Sequence, residues 1–193
     1  MRKAFVIPAF VVALAAGLTA CSSSSKSSVG VGTSPLAGTA RTATIDTNFG
    51  AIVVALDRTN APKASGRFAE LAASGFYNGL TFHRVVPDFI IQGGDPKGDG
   101  SGGTGHSVRG ETPTDGYPIG SVAAAKTADD PPGTFDCQFF IVTGQQGTQL
   151  PPEYARFGKV TAGMDVAKKI EGLAPGGDGP PTKKVVITKI TLS

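Results

Sequence analysis

Among the residues that could do chemistry, Arg84 stands out, in the run Phe82-His83-Arg84-Val85-Val86-Pro87-Asp88-Phe89-Ile90-Ile91-Gln92-Gly93-Gly94-Asp95. A guanidinium stays charged at every relevant pH and offers fixed N–H donors in a rigid plane. Gln92 can both donate and accept. Taken alone, Arg84 reads as an ordinary surface arginine, so its meaning depends on its surroundings. His83 beside it is no dyad partner, because strand alternation sends it to the opposite face. If Phe82 points outward with Arg84, then His83 and Val85 face the core. Gly98-Asp99-Gly100-Ser101-Gly102-Gly103 fits G-x-G-x-x-G formally, but no helix pattern follows it, so a dinucleotide site is discounted. The chain has no G-x-S-x-G, H-E-x-x-H or C-x-x-C, which removes the obvious hydrolase, metalloprotease and thiol-redox readings. Cys137, in an apolar run, reads as a buried small hydrophobe.

The elements that must position these residues are mostly strands. Thr42–Thr47 and Ala51–Asp57 are β-leaning runs joined by Asn48-Phe49-Gly50 as a hairpin turn. Asn60-Ala61-Pro62 opens a helix with Asn60 as cap, Pro62 in its first turn, and Phe68, Leu71 and Ala72 on its apolar face; Gly75 ends it. Leu80–Val86 and Phe89–Gly93 are strand-like runs broken at Pro87-Asp88, followed by a Gly-rich loop to about Gly110. Further strands are expected at Ile119–Ala125, Gln138–Thr143, Ala155–Val160 and Lys184–Leu192. A second helix over Met164–Glu171 turns Val166, Ala167 and Ile170 inward. Gly 27 and Pro 14, about a fifth of 193 residues, call for many turns and favour a β-rich domain over a bundle. Scattered strands with two helices point to a closed antiparallel barrel with helices capping its ends.

The N-terminus reads as an address. Met1-Arg2-Lys3 precedes an apolar run from Ala4 to Ala20, ending Leu18-Thr19-Ala20-Cys21, which resembles the bacterial lipobox. Residues 1–20 are therefore expected to be a lipoprotein signal peptide, with Cys21 lipidated and the protein anchored extracytoplasmically to a membrane of a bacterial envelope. Residues 21–40, rich in Ser, Gly, Thr and Ala, read as a flexible tether with a reach on the order of 25 Å. The domain proper is expected over 41–193. The formal net charge is +3, and loss of Arg2 and Lys3 brings it to +1, with no Arg/Lys cluster on any expected helix. Nucleic acid is not a partner on those grounds.

The run from Phe82 to Asp95 resembles the signature segment of cyclophilins over fourteen consecutive positions. Gly100-Ser101-Gly102-Gly103, Gln138-Phe139-Phe140-Ile141 and Phe157-Gly158-Lys159-Val160 are similar to three further family segments, in the family's order. The resemblance covers about Arg41 to the C-terminus. It implies a mainly β domain, a closed eight-stranded antiparallel β-barrel capped by two helices, monomeric, with no cofactor and no metal. It implies peptidyl-prolyl cis-trans isomerase activity on proline-containing polypeptides, here exported or envelope proteins. Arg84 matches the catalytic position, and Phe89, Ile90, Gln92, Gln138, Phe140 and Leu150 match substrate-contacting positions, with Phe89, Phe140 and Leu150 forming the proline pocket. Ala123 and Ala124 match a strand that pairs with the substrate backbone, although the family commonly has Asn at the position of Ala124. Tyr154 falls where many members have His, and the tryptophan that many place near Leu150 is missing, so weak cyclosporin binding is expected. The alternative to an enzyme is a proline-peptide binding module or holdase with little turnover; a structural surface lipoprotein fits the aromatic groove less well.

The chemistry so implied is noncovalent. An X-Pro bond rotates over a barrier of about 18–20 kcal/mol because the nitrogen lone pair is delocalised into the carbonyl. A donor aimed at the prolyl nitrogen or its neighbouring carbonyl favours the localised lone pair of the twisted state, while an apolar pocket grips the ring. A 10⁵-fold acceleration asks for about 7 kcal/mol, within reach of orientation, desolvation and one charged hydrogen bond.

Overall fold

A computed structural model describes residues 35–193. The stretch read as a signal peptide, the expected lipidation site Cys21, and residues 22–34 of the stretch read as a tether lie outside the described residues. The last residues of the stretch read as a tether form a short helix, α1 (Pro35–Thr39), with Ala37 buried and the Ala37 and Gly38 carbonyls accepting from Arg58 Nη2 at 2.8 and 2.7 Å.

The first hairpin joins β1 (Thr42–Thr47) to β2 (Gly50–Leu56) across Asn48-Phe49, with Thr47 opposite Gly50. Ile45, Ile52 and Val54 are fully buried, as alternation requires of a sheet with one face inward. Helix α2 (Pro62–Ala73) starts with Pro62, whose missing N–H costs nothing there. Its cap differs from expectation. Asn60 turns its side chain to Asp57, and the exposed helix donors of Lys63 and Ala64 are met instead by Glu111 at 3.2 and 3.3 Å. A carboxylate at a helix N-terminus also suits the helix dipole. At the other end Gly75 (φ +75) and Phe76 donate back to Ala72 and Leu71, closing the helix in a left-handed turn. The remaining elements are β3 (Thr81–Val86), β4 (Ile90–Asp95), β5 (Val108–Arg109), β6 (Ser121–Ala124), β7 (Thr134–Phe135), β8 (Phe139–Val142), β9 (Arg156–Ala162), α3 (Met164–Glu171) and β10 (Ile187–Leu192).

Eight strands form one sheet in the order β10-β1-β2-β9-β6-β8-β4-β3, every neighbour antiparallel, and β5 pairs with β7 apart from it. The sheet curls until its edges approach: Thr81 bridges Val186 and Val85 bridges Gly179. Those two bridges stand where a closed barrel would have a continuous ladder. Pro180 and Pro181 lie between them, and without N–H groups they cannot supply one. Inside the curl, Phe68 of α2 contacts Tyr77, Phe139 and Phe157 at ring distances of 5.2, 5.4 and 4.8 Å. Each such ring contributes about 1.5–3 kcal/mol through burial. Tyr77 keeps its hydroxyl satisfied by donating to the Cys137 carbonyl at 2.9 Å.

Candidate functional site

Two irregularities in the β3–β4 ladder decide where Arg84 points. Thr81 faces Asp95 and Phe82 faces Gly93, leaving Gly94 unpaired; Arg84 then faces Gln92, leaving His83 unpaired. At Gly94 (φ +84) a Cβ would lie 2.9 Å from the Cys137 carbonyl, so only glycine fits. The second bulge corrects the simple alternation expected for this strand. Phe82 does not face outward with Arg84: it is fully buried, 5.8 Å from the Phe139 ring, and Val85 is buried as well. One extra residue on a bulged strand shifts the side-chain phase, so Phe82 and Arg84 take opposite faces though two apart. His83, the extra residue, is half-buried, and burial pushes its pKa down, leaving a neutral ring.

Across the sheet, Arg84 is opposite Gln92, Gln92 opposite Phe140, and Phe140 opposite Ala123. Four expected site residues thus form one row over β3, β4, β8 and β6, at the strand spacing of about 4.8 Å. Ile90 and Val142 follow in the next outward row. Ile90, Ala123, Phe140 and Val142 pack into a cluster separate from the main core, with Tyr117 beneath and Phe89, Leu150 and Tyr154 as half-buried walls. Ala124 is on the other face: its side chain joins the inner core and its N–H is spent on the Ala155 carbonyl at 2.9 Å.

A polar chain runs along the rim. Arg84 Nη1 donates to Gln92 Oε1 at 3.0 Å, Gln92 Nε2 to Gln138 Oε1 at 3.0 Å, and Gln138 Nε2 to the carbonyls of Gly100 and Gly102 at 3.0 and 2.9 Å. Both glutamine amides are therefore oriented by partners at each end. Beside this chain opens a cleft of about 510 Å³ whose walls include Arg84, Gly102, Lys126, Asp136 and Gln138. The Gly-rich loop is held by the buried Arg67, which donates to Asp136 O, Thr104 Oγ1 and His106 O at 3.0, 2.8 and 3.0 Å.

The walls are fixed by the β3–β4 turn. Asp88 takes φ +53, a conformation aspartate tolerates, and Phe89 N–H closes the turn on Val86 O. Asp88 Oδ1 accepts from Gln145 N at 2.8 Å, and the Phe89 carbonyl accepts from Thr143 and Gly144. That ties the single 3₁₀ turn Gln145–Gln149, and Leu150 after it, against Phe89. Tyr154 meets the Phe140 ring edge to face at 5.5 Å, and Lys126 Nζ lies 5.5 Å from its centroid.

Three participants escaped the sequence reading. Tyr117 binds the Tyr154 backbone twice, donating to its carbonyl at 2.8 Å and accepting its N–H at 2.9 Å; burial pushes the phenol up to about 12. The Lys126 side chain is largely covered and is paired to Glu153 at 3.2 Å. Asp178 receives Arg84 Nε and Nη2, each at 2.7 Å. Its hydrogen bonds hold the Arg84 proton more tightly than usual, and the guanidinium in turn keeps the Asp178 carboxyl below the ordinary range. No local spacing marks these residues, since each partner is far away in the chain.

Cys137 is fully buried, and burial, followed by the charge of Asp136, pushes its thiol up to about 12. It is no nucleophile at neutral pH. Among the described residues no group of three or more His, Cys, Asp or Glu is arranged to hold a metal ion.

The sequence family described as cyclophilin type peptidyl-prolyl cis-trans isomerase/CLD matches residues 42–192. The chain is 41% identical over 133 residues to a peptidyl-prolyl cis-trans isomerase of Helicobacter pylori, covering 67% of this chain and 79% of that one. It is 38% identical over 156 residues to peptidyl-prolyl cis-trans isomerase-like 2 of Cryptococcus neoformans, covering 78% of this chain and 27% of that protein. The chain thus spans about a quarter of the fungal relative's length, and about half that of its mycobacterial relatives. The crystal structure of a cyclophilin type peptidyl-prolyl cis-trans isomerase from Cryptosporidium parvum superposes with a TM-score of 0.72 at 31% identity, covering 80% of this chain and 98% of that one.

Proposed function

Because the chain belongs to the cyclophilin type peptidyl-prolyl cis-trans isomerase family, we propose that it accelerates rotation about X-Pro bonds in polypeptides and that Arg84 is its catalytic residue. The observation that carries this is the row Arg84, Gln92, Phe140, Ala123 on the outer face of the sheet, a charged donor held in register with an apolar pocket. The proline ring seats among Phe89, Phe140 and Leu150, with Ile90 at the floor and Tyr154 at the rim. The peptide flanking it lies along Gln92 and Gln138, beside Ala123. Arg84 then offers an N–H toward the prolyl nitrogen or its neighbouring carbonyl. That contact strengthens as the amide twists and the lone pair localises, so it lowers the barrier without tightening ground-state binding.

The test is Arg84→Ala and Arg84→Lys on a short X-Pro peptide in a protease-coupled assay. Loss of one well-placed charged donor lowers kcat by about 10² to 10³, with KM and the melting curve nearly unchanged. Lysine rescues poorly, because an ammonium does not reproduce the planar fork. Near wild-type turnover in a folded Arg84→Ala protein refutes the role of Arg84, whereas a wild-type chain that binds the peptide without accelerating its rotation is a proline-peptide binding module.

The same reading extends to the cell envelope. Leu18-Thr19-Ala20-Cys21 behind an apolar run supports a signal peptide, lipidation of Cys21 and an extracytoplasmic, membrane-anchored monomer acting on exported or envelope proteins. Cys21→Ala then leaves protein unprocessed or detached; a mutant that fractionates with membranes at the wild-type mature mass refutes this. We read the curled sheet as a barrel completed through the bridges at Thr81 and Val85. Cyclosporin binding is expected to be weakened about 5- to 150-fold by the missing indole and by Tyr154 at the rim, and a low-nanomolar titration overturns that.

A further inference from the structure

Asp178 belongs to the run Gly176-Gly177-Asp178-Gly179-Pro180-Pro181, outside every strand. Its place is nevertheless set by the backbone. Val85 N–H donates to Gly179 O at 2.8 Å and Gly179 N–H returns to Val85 O at 3.3 Å. This bridge fastens the run to β3 one residue away from Arg84, and the carboxylate meets the side of the guanidinium with two bonds of 2.7 Å, from Nε and Nη2. On the far side, Nη1 is held by Gln92 Oε1 at 3.0 Å.

A guanidinium has five N–H groups in one plane. Asp178 takes two and Gln92 takes one, so two remain, one on each Nη nitrogen. Fixing the group from both sides fixes its plane, and therefore the direction in which the two free donors point. Exposed ion pairs ordinarily do little for stability, and this one is 35% and 54% exposed on its two side chains. Two-point pairing of a fork to a carboxylate supplies orientation instead.

We propose that Asp178 is a positioning residue of the isomerase site, holding Arg84 by its Nε and Nη2 so that the remaining donors are preset for the twisted amide. The inference rests on the reading of Arg84 as the catalytic residue. Asp178 touches no reacting atom. It acts through Arg84 by removing rotations that would otherwise have to be frozen during each turnover.

The experiment compares the full chain with Asp178→Asn, Asp178→Glu, Arg84→Ala and the double variant Asp178→Asn/Arg84→Ala, measuring kcat and KM on one X-Pro peptide beside melting curves. Asparagine accepts through one oxygen and turns an amide N–H₂ toward guanidinium donors, so kcat falls about 10- to 100-fold, KM moves by less than about twofold, and the melting midpoint holds. Glutamate recovers part of the rate. In the Arg84→Ala background Asp178→Asn adds no further loss, as two residues acting as a unit require. If Arg84→Ala is inactive while Asp178→Asn keeps or raises kcat, the carboxylate only damps the cation and the inference fails alone. A further loss in the Arg84→Ala background likewise overturns it. If Arg84→Ala is itself active, the catalytic reading falls and the inference with it.

Discussion

The same strands carry two rows of residues, one step apart in sequence, that do opposite things. The inner row is Val85, Ile91, Ile141 and Val122, all fully buried and entirely apolar. The outer row is Arg84, Gln92, Phe140 and Ala123, graded from a charged rim to an apolar floor. Strand alternation separates them once the bulge at His83 has set the phase of β3. The inner row is sealed by helix and opposite sheet wall, so every atom there trades water for packing. In the outer row Ala123 and Phe140 are covered as well, but by Phe89, Leu150 and Tyr154, which are themselves half-exposed, and the polar end of the row, Arg84 and Gln92, is half-exposed too. A family fold can therefore keep its stability on one face and tune its chemistry on the other.

The sharpest way to break this division is to truncate neighbours on β8. Ile141→Ala opens a closed inner cavity and is expected to destabilise the domain by about 2–5 kcal/mol, while the molecules that remain folded turn over normally. Phe140→Ala is expected to cost less stability, because its cluster is small and is walled by the half-exposed Phe89, Leu150 and Tyr154, so water can enter the space the ring leaves. It is expected to raise KM at least about tenfold by removing the main wall of the ring pocket. Chemical denaturation and peptide kinetics on both variants decide the matter. If Phe140→Ala unfolds more readily than Ile141→Ala and binds peptide normally, the outer row is core and the pocket lies elsewhere.

Much of this was legible in the chain. Alternation and turn residues placed the first hairpin, both long helices and every strand of the large sheet to within a few residues, because those signals are local. The phase of β3 was not, because a bulge depends on what the partner strand can bring opposite: Gly94 must be a glycine to pass the Cys137 carbonyl, and His83 is then left over. Asn60 looked like a cap, but Glu111 reached the helix first from 48 residues away in sequence. The short β5–β7 pair and the α1 turn have too few residues to show a period. At the site, the resemblance named the row and the pocket. It did not name Asp178, which lies 94 residues from Arg84 in a loop whose composition announces only a turn.

The two faces also differ in which end of the pH scale reaches them. On the inner side the Cys137 thiol is pushed up to about 12. An acid whose folded pKa is raised binds its proton more tightly in the native state, so above the ordinary thiol value of about 8.5 the unfolded chain releases a proton that the native state keeps. Stability then falls as pH rises. Between pH 8 and 10 the expected loss attributable to this group is about 1–2 kcal/mol. Cys137→Ala is expected to flatten that part of the curve. Equal slopes for wild type and variant would mean that the thiol is not shielded as its burial indicates.

On the outer side the effect is smaller and of opposite sense. Arg84's hydrogen bonds, followed by its charge, hold the Asp178 carboxyl below its ordinary value. A carboxylate with a depressed folded pKa stabilises the native state fully at pH above its unfolded value of about 3.9, and that contribution fades as pH falls through the lower, folded value. The pair is exposed to solvent and screened by salt, so the contribution is expected to stay below about 1 kcal/mol. Protonated Asp178 also loses its charge-assisted hold on the fork. Titrating denaturation midpoints from pH 5 to 2.5 at low salt is expected to show wild type losing slightly more stability than Asp178→Asn, with the difference shrinking as salt is added. No difference between them at low salt would mean that the pair contributes nothing to the fold. Turnover, measured in parallel on a peptide without ionisable groups, separates this from positioning. An orienting carboxylate is felt in kcat even where it is not felt in the midpoint, because a transition-state contact depends on direction while the stability of an exposed ion pair depends mainly on screened charge.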